Sequence, residues 1–198
     1  MKTASRKITL ASSSRYRREL LLRLVKTFDQ TSPEIDESLL DNEIPQAYVQ
    51  RLACEKAEAV RKLGIRGLII ASDQCAVTGG HVLGKPGSHE PAVAQLSACS
   101  GKQVQFLTGL ALLDSDSGLM QVECDEVLVK FRDLSTVEIE QYLKTEQPYD
   151  CAGSFKCEGL GIALFESITS SDPNSLVGLP LIRLNKMLIR FGVNPLLL

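Results

Sequence analysis

The residues Leu68-Ile69-Ile70-Ala71 form an unbroken apolar run that stops at Ser72-Asp73. A strand with one wet face alternates apolar and polar residues, so an unbroken run implies a central strand covered on both faces. The rest of the chain must then supply helices to cover that strand and further strands to flank it. Asp73 falls just past the carboxyl end of the run, where open α/β sheets commonly bind ligands.

The flanking segments fit this plan. Residues 8–11 are a short buried strand, and Ser12-Ser13-Ser14 offers hydroxyl caps to a helix whose apolar stripe is Tyr16, Leu20, Leu21 and Leu24. A second strand over 27–31 leads to the acidic loop Pro33-Glu34-Ile35-Asp36-Glu37, then to a helix over 46–63 stopped by Gly64. Residues 75–78 and 81–83 flank the hairpin turn Gly79-Gly80, and 91–99 is helical. Strands over 104–113 and 119–131 are joined by Asp114-Ser115-Asp116-Ser117-Gly118, after which Ser135-Thr136-Val137-Glu138 is a capping box opening a helix to about residue 144. A glycine-studded stretch over 153–161 precedes a strand at 162–165 and a closing helix over 179–191, with Gly192 as its stop. The expected class is α/β, or mixed α+β, with a mixed sheet.

At 198 residues the chain suits one domain, 1–198, that buries roughly 70% of its unfolded surface. A net charge of -2 supplies no broad basic field for nucleic acid or an anionic membrane, so a small ligand is expected. The basic start over 1–7 is followed by an apolar stretch too short for a signal peptide, and no run approaches membrane-spanning length. Six scattered cysteines, with no CxxC pair, point to a reduced, cytoplasmic protein in which they serve as small buried apolar groups.

Only His81 and His89 are present, and neither sits in a nucleophile motif, which leaves carboxylate and metal chemistry. The phosphate-binding patterns GxxxxGK[ST] and GxGxxG are absent. In their place Ser12-Ser13-Ser14-Arg15-Tyr16-Arg17-Arg18 brings hydroxyl and guanidinium groups to a helix start, suited either to a phosphate chain or to plain capping. Lys56 interrupts the apolar stripe Val49, Leu52, Ala53 and Val60, so it either finds a phosphate or carboxylate partner or snorkels to the surface. Asp73 is the best general base, or else a turn residue, and Lys85 in Gly84-Lys85-Pro86 by itself is a solvated turn lysine. Glu34, Asp36 and Glu37 offer hard oxygens to Mg²⁺ or Mn²⁺, or form a solvated acidic loop.

Taken together these segments resemble the Maf family of nucleotide pyrophosphatases from residue 8 to residue 195. The resemblance is carried by Leu10-Ala11-Ser12-Ser13-Ser14 with Arg17 and Arg18, Glu34-Ile35-Asp36-Glu37, Glu55-Lys56-Ala57, Ser72-Asp73-Gln74 and Gly84-Lys85-Pro86. It continues through Cys151-Ala152-Gly153-Ser154-Phe155-Lys156, Glu158-Gly159, Gly161, Asp172-Pro173-Asn174 and Val177-Gly178-Leu179-Pro180. It implies an elongated mixed sheet in two lobes with a central cleft, similar to inosine triphosphate pyrophosphatases. It also implies Asp73 as proton acceptor, catalytic work for Lys56 and Lys85, phosphate binding by Ser12, Arg17, Lys56 and Lys85, and a divalent metal on Glu34 and Asp73.

Ser72-Asp73-Gln74 with Glu158 looks like the branch of that family acting on 7-methyl-GTP, with Tyr16, Gln74 and Glu158 setting specificity. A carboxylate can pair with the cationic N7-methylated base and an aromatic ring can stack on it. Arg15 stands where the family usually has Pro, and Tyr16 where this branch often has Trp. The implied reaction is hydrolysis of a nucleoside triphosphate to monophosphate and diphosphate, which would remove modified nucleotides before incorporation. A dTTP or UTP pyrophosphatase, a nucleotide-binding regulator of cell division and a homodimer stay open.

Overall fold

The computed structural model describes residues 6–198, so most of the basic start over 1–7 lies outside the described residues. Among the described residues seven strands and five α-helices follow one another, first β1 (Ile8–Ala11), α1 (Arg15–Leu21), β2 (Asp29–Thr31), α2 (Pro45–Lys62), β3 (Leu68–Thr78) and β4 (His81–Leu83). Then come α3 (His89–Cys99), β5 (Gln103–Asp114), β6 (Met120–Phe131), α4 (Thr136–Glu146), β7 (Phe165–Ser170) and α5 (Leu181–Arg190). The strands form one sheet in the order β2-β1-β3-β5-β6-β7, with β4 on β3. Parallel pairs β1–β2 and β1–β3 coexist with antiparallel pairs β3–β4 and β6–β7. The mixed sheet and its helices are the class expected.

The chain divides into two compact units. The first holds the residues up to Asp73 with Thr108–Asp125 and Asp172–Leu198, and its core explains the unbroken run of β3. Side chains alternate across a strand. Leu68 and Ile70 therefore join Ile8, Leu10, Leu110 and Leu112 on one face, packed with Leu20 and Leu21 of α1 and Leu184, Met187 and Leu188 of α5. Ile69 and Ala71 join Ala11, Ala111 and Leu113 on the other, packed with Ala53, Ala57 and Val60 of α2. Burying each Leu or Ile side chain is worth ~2 kcal/mol.

Gly109 in β5 sets how closely α2 approaches the sheet, because a Cβ there would stand 2.1 Å from the Val49 carbonyl oxygen. Only glycine admits that contact.

The second unit comprises Gln74–Leu107 and Glu126–Ser171. Its core is aromatic, with Phe106, Phe131, Phe155 and Phe165 packed edge to face at centroid separations of 4.9 to 6.0 Å. The capping box at α4 is present: Ser135 accepts from the Glu138 N–H, and the Glu138 carboxylate accepts from Ser135. His89 contacts Tyr149 through Nδ1 at 3.0 Å and Glu140 through Nε2 at 3.0 Å.

Three expectations are corrected. β3 does not end at Ser72-Asp73 but runs through them to Thr78, because their side chains find partners without leaving the extended backbone. Asp73 is accordingly a mid-strand residue and not one beyond a strand end. The strand expected at 162–165 is a 3-10 turn, Leu160–Leu164, followed by the mostly exposed edge strand β7. An edge strand exposed on nearly every residue carries little apolar alternation to read.

Of the six free cysteines, Cys75 and Cys99 are buried and four are half-buried. Among the described residues no helix is long and apolar enough to cross a membrane.

Candidate active site

Lys56 comes from the middle of α2, a helix with Pro45 at its first position and a stripe of Val49, Leu52, Ala53 and Val60 facing the sheet. Its place in that stripe drives the side chain inward. Only 7% of Lys56 is exposed, and its ammonium is bonded to Asp73 Oδ1 and, at 2.6 Å, to Glu37 Oε1. The snorkelling alternative is excluded, since a buried ammonium with two carboxylates is the partnered case.

Asp73 is 8% exposed and Ser72 fully buried, with the Ser72 hydroxyl donating to the Gly178 carbonyl at 2.8 Å. The same carbonyl accepts from Arg17 Nε at 2.9 Å. Arg17 Nη1 lies 3.5 Å from Ser12 Oγ, and Ser12 is itself buried. Burial pulls the Arg17 guanidinium below its ordinary value, against the opposing negative charges of Asp73 and Glu37. It remains charged at any working pH. Ser12, Arg17, Glu37, Lys56 and Asp73 therefore form one cluster in the first unit, with two cations and two carboxylates.

The acidic loop resolves into three different environments. Glu34 is exposed. Asp36 accepts from the Ser38 N–H at 2.9 Å, and the Ser38 hydrogen bonds hold its carboxyl below the usual range. Glu37 is the member that reaches Lys56.

Arg51 and Tyr48, which the sequence analysis did not single out, hold this loop to α2. Arg51 bonds Glu43 at 2.7 and 2.8 Å and the Ser38 carbonyl at 3.0 Å, while the Tyr48 hydroxyl donates to the Glu37 carbonyl at 2.9 Å. The signal was available: Tyr48, Arg51 and Glu55 recur at three and four residues along α2, one polar stripe beside Lys56.

Ser14 caps α1 by accepting from the Arg17 N–H at 3.3 Å. Arg15 lies over the Tyr16 ring, 4.7 Å from its centroid, and donates to the Tyr16 hydroxyl at 2.7 Å. The guanidinium thus occupies one face of a ring suited to cationic partners.

The remaining expected residues belong to the second unit. Gln74 is half-buried in β3, Lys85 is exposed on the segment between β4 and α3, and Glu158 is exposed and accepts from the Cys157 thiol at 3.0 Å. Burial, then that bond and the adjacent charge of Glu158, raise the Cys157 pKa.

Among the described residues no group of three or more His, Cys, Asp or Glu is gathered to hold a metal ion. Two carboxylates converging on one ammonium fit a different mode, in which a hard cation takes one or two carboxylates and draws its other ligands from substrate phosphates and water.

Comparison with known proteins bears on both units. The 7-methyl-GTP pyrophosphatase of Pseudomonas putida is 56% identical over 186 residues, covering 94% of this chain and 97% of that protein. That of Pseudomonas syringae pv. syringae is 57% identical over 187 residues, with coverages of 94% and 97%. Among solved structures, the Staphylococcus aureus Ham1 protein aligns with a TM-score of 0.48 and 15% identity over 78% of this chain and 89% of that one, a likeness too distant to bear on the site. The family model for Maf-like proteins matches residues 7–191, a span that takes in every residue of the Lys56 cluster as well as Lys85 and Glu158. This chain belongs to the Maf-like protein family.

Proposed function

We propose that this chain hydrolyses 7-methyl-GTP to 7-methyl-GMP and diphosphate. The observation that carries the reading is the buried Lys56 ammonium shared by Asp73 and Glu37, with Arg17 and Ser12 alongside. Such a cluster holds cations ready for a polyphosphate and keeps a carboxylate next to them. The named activity of relatives 56% and 57% identical over 94% of this chain supports the choice of substrate.

In this reading the phosphate oxygens compete with Asp73 and Glu37 for Lys56, and Arg17 and Ser12 bind the same chain of phosphates. Asp73, relieved of its ammonium partner, accepts the proton of the water that attacks the α-phosphorus, and diphosphate leaves with its charge neutralised by Lys56, Arg17 and Lys85. Asp73, Glu37 and Glu34 would hold a divalent cation, Mg²⁺ or Mn²⁺, which supplies charge neutralisation at the triphosphate and orients it. Glu158 pairs with the Watson-Crick edge of the cationic base, Tyr16 stacks on it, and Gln74 completes the recognition.

Diphosphate release from 7-methyl-GTP, GTP, dTTP, UTP and CTP with Mg²⁺ or Mn²⁺ tests this. Wild type should prefer 7-methyl-GTP, and Asp73→Asn should lower turnover by about a hundredfold or more, the scale of general-base loss, with binding retained. A preference for dTTP or UTP would overturn the base reading and leave the chemistry standing. Unchanged turnover in the variant would remove Asp73 as the base.

A further inference from the structure

One of the buried carboxylates that the proposed chemistry does not use lies on β6. Asp125 is 1% exposed, accepts from the hydroxyl of the fully buried Ser175, and pairs with Arg183 of α5 through Nε at 2.5 Å. A buried charge persists only where its partners are fixed in place, which makes Asp125 an anchor for whatever it holds.

What it holds is the turn that ends at Gly178. The Ser175 carbonyl accepts from the Gly178 N–H at 3.0 Å and from the hydroxyl of Thr108, a buried β5 residue, at 3.1 Å. The other end of the turn is pinned by Asp172, 1% exposed, which accepts from the Asn174 N–H at 2.9 Å and the Ile182 N–H at 2.5 Å. Gly178 then adopts a φ of +104°, open to glycine, and turns its carbonyl to Arg17 Nε and the Ser72 hydroxyl. A Cβ at Gly178 would stand 3.3 Å from Arg17 Nε, so the guanidinium is fitted against this backbone as well as bonded to it.

We infer that Asp125, Ser175 and Thr108 are positioning residues: through the Ser175–Gly178 turn they set the carbonyl that aims the Arg17 guanidinium at the phosphate chain. Each acts through the backbone of the turn. The bond to Nε fixes the plane of the guanidinium, whose Nη1 lies 3.5 Å from Ser12 Oγ, and a fixed plane is what fork-like phosphate recognition requires. The inference rests on the reading of Arg17 as a phosphate ligand and deepens it.

The test is a set of double-mutant cycles with two readouts, kcat/KM for 7-methyl-GTP and the affinity for inorganic tripolyphosphate by calorimetry. Ser175→Ala removes the hydroxyl that meets Asp125, and Thr108→Val removes the hydroxyl that meets the Ser175 carbonyl at nearly constant volume. Each should lower both quantities roughly tenfold, the scale of one misplaced charge-assisted hydrogen bond. In an Arg17→Ala background the same changes should have no further effect on either quantity, because the group they position is gone.

Equal factors in the two backgrounds would overturn the inference, since a purely structural role acts regardless of Arg17. So would a tripolyphosphate affinity indifferent to Arg17→Ala. Hydrolysis failing in wild type while tripolyphosphate still shows the Arg17-dependent coupling would sink the substrate reading and leave the positioning role intact. Thermal melting of each variant separates loss of fold from loss of aim.

Discussion

In the first unit Lys56 on α2 and Asp73 on β3 are buried against each other on regular elements, with Arg17 of α1 half-buried and Glu37 reaching Lys56 from the acidic loop. In the second unit Lys85 and Glu158 lie exposed on connecting segments. The two arrangements do different work. Buried, partnered charges are held in one geometry before any ligand arrives, and the cost of burying them is offset by the packing and hydrogen bonds of the unit around them. Exposed loop charges cost little to keep and are ordered by the ligand itself. The first unit therefore holds its charges in a fixed geometry, while Lys85 and Glu158 of the second stand on exposed connecting segments.

Lysine replacement gives the largest expected contrast. Lys56→Met should lower the free energy of unfolding by ~3 kcal/mol, because it leaves Asp73 buried without its ammonium. Lys85→Met should stay within ~0.5 kcal/mol of wild type, as surface substitutions do. Denaturant titration of both variants measures the difference, and equal losses would break the contrast between the units.

Gly109→Ala probes how the fixed geometry is kept. A methyl group there meets the Val49 carbonyl, so α2 must shift and take Lys56 with it. About 2 kcal/mol of stability should be lost to that overpacking, and kcat should fall further than KM changes, since the proposed chemistry uses the displaced ammonium. A variant as active as wild type would mean that the position of α2 is less tightly set than this contact indicates.

The smallest effect belongs to the second unit, at an exposed carboxylate. Hydrogen bonds from the Ser135 backbone and hydroxyl hold the Glu138 pKa at about 2, below its ordinary 4.5. A carboxylate depressed in this way contributes stability that is complete above its unfolded value and is lost as pH falls through the folded one. The melting temperature of Glu138→Gln should therefore lie slightly below wild type at pH above 4.5 and converge on it as pH falls toward 2. A gap that does not change with pH would assign the effect to something other than the ionised capping box.

Strand-and-helix order and the capping box were legible because each rests on neighbouring residues: the period of apolar side chains, a hydroxyl three residues before a glutamate, a glycine after a helix. The interrupted stripe of α2 likewise marked Lys56 before its partners were visible. Sequence alone did not separate Glu37 from Glu34 and Asp36, because all three share one loop and differ only in which of them α2 faces. Nor did it show β3 continuing through Ser72-Asp73-Gln74, where polar residues mimic a strand end unless their partners, Gly178 and Lys56, are known to wait 106 and 17 residues away.

What the amino-acid sequence by itself determined is a layered α/β chain with one doubly covered strand and a lysine that interrupts an apolar stripe, either partnered or snorkelling. Those follow from local periodicity and from the free energy of burying apolar and charged groups. The tertiary structure decided which carboxylates meet that lysine, how close α2 comes to the sheet at Gly109, and that a buried Asp125 sets the turn leading to Gly178. Each is a contact between residues far apart in the chain, and the distance and direction of such contacts exist only once the backbone is folded.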